Sequence, residues 1–133
     1  MPPDRQPADH PLAWLHRAYS DLAIASARIP DAYPEDLCFH AQQAAEKALK
    51  ALLLHHGLVG QRIHDIADLV GHLLKAGVIV PDNICAAAFL SEYAVAARYP
   101  GLDEPVEAED LQAAIEKARE VIVWVESLIV PNP

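Results

Sequence analysis

No stretch of this sequence approaches the roughly 18 consecutive apolar residues that a bilayer-spanning helix requires. The opening Met1-Pro2-Pro3-Asp4-Arg5 also lacks the charged-then-apolar layout of a secretory leader. These two absences lead to the expectation of a cytoplasmic protein that does not enter a membrane. Positive charge is scarce as well, with 10 Lys and Arg against 19 Asp and Glu and a net charge of −9. Broad coating of nucleic acid is driven by phosphate neutralisation, so this composition excludes it. A local basic site or a basic partner protein stays open.

Cysteine is sparse. Cys38 and Cys85 sit in no CxxC pair and at no Cys/His ligand spacing. Both lie among apolar neighbours and read as buried structural thiols. The five glycines are scattered and form no phosphate-binding loop. No Ser/His/Asp or Cys/His arrangement stands out. His64-Asp65 is a single pair without the additional ligands a metal needs; its plain reading is a cap on the helix that follows. His72 falls eight residues from His64, which is not a ligand spacing, and His55-His56 sits where a helix ends. Neither a metal nor an organic cofactor is expected.

What is present is helix-forming material. Apolar residues make up 53% of the chain. Alanine and leucine dominate between prolines placed as punctuation, and β-branched runs are short. The first helix is predicted from Pro11, with Asp9 or His10 before it and Pro30 beyond its end. The second runs from about Glu35 to His56, stopped by Gly57. The third starts near His64 or Asp65 and ends around Ala76-Gly77. The fourth opens at Pro81-Asp82-Asn83, carries Phe89, Leu90, Tyr93, Ala94 and Ala97 on one stripe, and ends at Tyr99 before Pro100. The fifth repeats Leu111, Ile115, Ala118, Ile122, Val125 and Ile129 at helical steps. The expected fold is all-α, an up-and-down helical bundle of about five helices with a four-helix core. Residues 1–133 read as one domain, with residues 1–8 as a flexible N-terminal tail.

The second helix carries the most chemistry. At about 100° per residue, Gln43, Lys47 and Lys50 fall within an arc of roughly 80° beside His40. Glu46 lies just off this stripe and can pair with Lys50 at i,i+4. Ala41, Ala45, Ala48, Leu49 and Leu52 fall on the opposite side. One reading of the stripe is a solvated face with ordinary ion-pair patterning. The other is a row of donors facing a phosphate-bearing ligand or a second subunit. Ala41, Ala44, Ala45, Ala48 and Ala51 would let another helix approach closely, as a central or dimer-forming helix needs.

The segment from Cys38 to Leu53, built around His40-Ala41-Gln42-Gln43-Ala44-Ala45-Glu46-Lys47, closely resembles the second-helix signature of stand-alone prokaryotic HEPN proteins. His64-Asp65-Ile66-Ala67-Asp68-Leu69 is similar to the start of that family's third helix, and Tyr93 through Arg98-Tyr99-Pro100 to the end of its fourth. Trp14-Leu15 with Ala18, Asp21 and Leu22 is similar to its first. The likeness spans nearly the whole chain. It implies a helical bundle, commonly a homodimer, and partnership with a minimal nucleotidyltransferase, often as a toxin–antitoxin pair. Across the family it implies either metal-independent ribonuclease activity or noncatalytic binding of nucleotide or RNA.

The ribonucleases of that family use an Arg followed four to six residues later by His. The His can move a 2′-hydroxyl proton while the Arg stabilises phosphate charge. The matching arginine here is Arg98, but Leu102, Asp103 and Glu104 occupy the three positions where that His would fall. A second Arg-x4-His, Arg5 to His10, precedes the first helix, at the wrong place for the family. The resemblance therefore favours a noncatalytic binding or protein-interaction module over a ribonuclease, with Arg98 the single catalytic candidate. Its ligand surface is expected to use His40, Gln43, Lys47 and Lys50, with Arg98 and Tyr99 nearby. An endoribonuclease toxin with a degenerate site and a purely structural helical adaptor are the alternatives.

Overall fold

The computed structural model describes residues 1–96 and 105–130. Among these residues every regular element is helical: α1 (Pro11–Ser26), α2 (Pro34–His55), α3 (Ile66–Lys75), α4 (Asp82–Cys85), a 3₁₀ segment (Ala86–Ser91), α5 (Glu92–Ala96) and α6 (Ala108–Ile129).

Local chemistry sets most of the boundaries. Proline occupies the first position of α1 and of α2, where its missing N–H costs nothing and its fixed φ suits a helix. His10 Nδ1 accepts from the Leu12 N–H at 3.0 Å and so caps α1. Of the two cap candidates for α3, Asp65 fills the role, accepting from the N–H groups of Ala67 and Asp68. Glu107 and Asp110 form a reciprocal capping box at the start of α6. The ends of α2 and α3 turn through Gly57 and Gly77, whose φ values of +74° and +88° lie in the left-handed region. At each, the following residue donates back across the turn, Leu58 to Leu53 O and Val78 to Leu73 O.

The centre of the bundle is α2. It packs against α1, α6, α3, α5 and the 3₁₀ segment. Ala41, Ala44, Ala45, Ala48 and Ala51 are fully buried, as are Leu49 and Leu52. Small side chains at these positions let the flanking backbones come close. The alanine face is therefore occupied by this chain's own helices and is not a surface for a dimer mate.

The expected single fourth helix is instead α4, the 3₁₀ segment and α5. Its buried residues explain the change. Ile84, Ala87 and Leu90 are buried at a three-residue spacing, which matches 3.0 residues per turn and drifts off the face of a 3.6-residue helix. Phe89, expected on the buried stripe, is turned outward and exposed. Ser91 Oγ accepts from the Ile66 N–H at 3.0 Å and ties this segment to the start of α3. Ala97 and the expected end at Tyr99 lie outside the described residues.

Candidate functional site

The stripe on α2 is not a solvated face. It faces two buried carboxylates and divides between them. Asp21, from α1, takes the first pair: His40 Nδ1 donates to Asp21 Oδ1 at 3.0 Å, and Lys47 Nζ donates to Asp21 Oδ2 at 2.5 Å. His40 and Lys47 are seven residues apart, two helical turns, so one carboxylate placed between them reaches both.

Glu46 organises the second group. Lys50 Nζ donates to Glu46 Oε2 at 3.0 Å, the i,i+4 pair that the spacing allows. Both side chains are about 95% buried, at 5% and 4% exposure. Lys50 Nζ also donates to the Gln61 carbonyl at 3.2 Å and lies 5.6 Å from the centre of the Trp14 ring, within cation–π range. Gln42 Nε2 donates to Glu46 Oε1 at 3.2 Å, and Gln43 Nε2 donates to Gln42 Oε1 at 2.7 Å. His64 Nδ1 stands 3.4 Å from Lys50 Nζ and 3.5 Å from Glu46 Oε2, and its tautomer decides which contact is a hydrogen bond.

The structure thus brings His40, Gln43, Lys47 and Lys50 onto one edge of α2. It also supplies partners that the stripe alone did not reveal: Asp21, Gln42, His64 and Trp14. Asp21 had a readable signal. It shares the buried face of α1 with Leu15, Ala18, Leu22 and Ala25, and an acid at such a position needs a cation opposite it. Gln42 carried the weaker hint of a polar residue between buried alanines. Arg98 and Tyr99 lie outside the described residues. Among the described residues no three His, Cys, Asp or Glu side chains gather as a metal cluster, and no helix is long and apolar enough to cross a membrane.

Chemically, each lysine is matched by a carboxylate, so the two groups are close to neutral. Burying unpaired charges would cost several kcal/mol each, so the pairing is what permits charge here. His40 is held at Nδ1 by Asp21, which fixes the ring, and among the described residues its Nε2 makes no hydrogen bond. The imidazole is about a third exposed, with a relative exposure of 32%.

Close by on α2, Cys38 is buried, and that burial, with Asp110 and Glu35 adding repulsion, pushes its thiol from 9.0 up to about 12. Burial likewise pushes Tyr93 from 10.0 up to about 12, with Cys38, Asp110 and Glu92 adding to it. Both groups stay protonated in the fold over a range where the unfolded chain ionises. The folded state then holds more protons, so stability falls as pH rises. The urea midpoint is expected to decline as pH increases above 9.0. A flat midpoint in alkaline titrations would show that the two groups ionise alike in both states.

Relatives place the chain. Residues 12–128 match the HEPN domain family. TT1696 from Thermus thermophilus is 32% identical, with a TM-score of 0.75, over 87% of this chain and 95% of that one. ST0689, described as an archaeal HEPN homologue, is 31% identical, with a TM-score of 0.71, over 90% of this chain and 98% of that one. No curated protein matches. With the family matched over most of its length and an archaeal HEPN homologue sharing both sequence and fold, this chain belongs to the HEPN domain family.

Proposed function

We propose that this chain is a noncatalytic binding module, taking nucleotide, RNA or a protein partner, that self-associates as a homodimer and works with a minimal nucleotidyltransferase in a toxin–antitoxin-type system. The observation that carries the noncatalytic part is the neutralised edge of α2. Its cations are held by Asp21 and Glu46. A cleft that stabilises a phosphorane-like transition state needs cations directed at the phosphate. The absence of His at positions 102–104 after Arg98 supports the same reading. With the α2 alanines enclosed by α1 and α6, a homodimer would use another surface.

A second reading, an endoribonuclease toxin, draws on one feature: His40 oriented by Asp21 has the form of an acid–base imidazole. Expression in a bacterial host separates the two. The expected result is normal growth and no RNA cleavage by the purified protein, unchanged by Arg98→Ala or His40→Ala. Growth arrest abolished by either substitution would overturn the noncatalytic reading. Sedimentation of the purified chain tests the homodimer, and co-purification with the nucleotidyltransferase encoded beside it, where one is present, tests the partnership.

A further inference from the structure

Residues 2–8 do not simply extend away from the bundle. With the exposed flank of α1 and Lys47 of α2 they enclose a groove of about 730 Å³. That volume falls within the range of small-molecule sites, roughly 300–1,000 Å³. In a chain of net charge −9, the walls of this groove are cationic. Arg5, Arg17 and Lys47 line it, against one acid, Asp4. Lys47 is already shared with Asp21. Among the described residues, Arg5 and Arg17 belong to none of the ion pairs. Trp14 and Ser20 line the groove too. The Trp14 ring is steadied by Lys50. His16 is a further wall residue, and its Nδ1 is buried without a hydrogen-bond partner among the described residues. Such an atom normally finds a partner, because a buried polar group left unmet has lost its hydration without replacement.

Each feature selects a ligand property. Guanidinium forks favour phosphate oxygens, which they can bind two at a time. A flat aromatic wall favours a flat ring. The volume suits a molecule of mononucleotide size. We propose that this groove binds a phosphate monoester carrying a flat heterocycle, with the phosphate on Arg5 and Arg17 and the ring against Trp14. A free nucleotide and the 5′ end of an RNA share that chemistry. The proposal rests on the reading of the chain as a binding module and is independent of its protein partner.

Titration of the full chain with adenosine monophosphate, read at the Trp14 indole N–H resonance, tests it. Trp14→Phe assigns that resonance. Adenosine monophosphate is expected to shift it saturably, and adenosine is not. Arg17→Glu and Arg5→Glu should each weaken binding roughly tenfold to hundredfold, as expected for lost charge-assisted contacts. Arg62→Glu, at an exposed position outside the groove, should leave it unchanged. A 5′-phosphorylated RNA decamer binding more tightly than the nucleotide, and more tightly than its 5′-hydroxyl form, would identify an RNA end as the ligand; the reverse order would identify the free nucleotide. The proposal is overturned if Trp14 does not respond, if adenosine binds as well as its phosphate, or if Arg62→Glu matters as much as Arg17→Glu. Binding that persists in Arg17→Glu with Trp14 silent would reject the groove and keep the module's binding role. Absence of binding anywhere would count against both.

Discussion

Glu46→Ala is expected to destabilise the protein by about 3–5 kcal/mol, because it leaves a buried ammonium without its counter-charge. Lys50 is 5% exposed and cannot regain full hydration without moving α2 or the Gln61 loop. Gln42 loses its acceptor in the same step. Domains of this size have total stabilities of about 5–15 kcal/mol, so a loss this large removes a substantial fraction of the whole. The effect belongs to a stranded charge, and that makes it separable from simple loss of packing. Replacing both partners, Glu46→Leu with Lys50→Met, should recover most of the loss, since a buried pair exchanged for apolar residues of similar volume is often neutral. Urea unfolding of the two single variants and the double variant gives the coupling directly. A double variant no more stable than Glu46→Ala would show that the cost lies in packing.

Leu49→Ala is the second large effect, at about 2–5 kcal/mol from lost transfer energy plus the cavity left behind. Leu49 is fully buried in the central helix, among alanines that cannot extend into the space it vacates. Collapse around the gap is therefore poor, which places the expectation toward the upper part of that range. Leu128→Ala, exposed on α6, should change the urea midpoint little, and a comparable loss there would contradict the burial argument. The contrast also bears on α2 as an alanine-rich helix. Its few large side chains do most of the filling, so each matters more than in a core of uniform leucines.

The fold was legible where chemistry acts locally. Pro11, Gly57, Asp65 and Gly77 mark their boundaries through φ restriction, capping or left-handed turns, and none depends on distant contacts. The fourth helix departs from its expected form because alanines at positions 86–88 suit α and 3₁₀ geometry alike. Only the three-residue spacing of Ile84, Ala87 and Leu90 distinguishes them. The candidate site was half legible. Helical spacing collected His40, Gln43, Lys47 and Lys50 onto one edge, but spacing within one helix says nothing about what covers that edge. Asp21 lies on a different helix, and its approach to His40 and Lys47 is a tertiary fact. The groove under residues 2–8 was beyond reach for a related reason. That segment has no periodicity, so its path is set by what it rests on.

The bridge from Asp21 has a consequence for how α1 and α2 are aligned. Two helices that meet through alanine and leucine offer nearly equivalent packings when one slides past the other by a turn, about 5.4 Å. Apolar contact alone discriminates weakly among those alignments. Asp21 does so strongly, because one carboxylate must stand between His40 and Lys47 at once. A slide of one turn carries it away from at least one of them and leaves a buried polar group unmatched. Like the single buried asparagine that sets the register of a coiled coil, Asp21 is expected to act as an alignment key, giving an otherwise permissive pair of surfaces one phase.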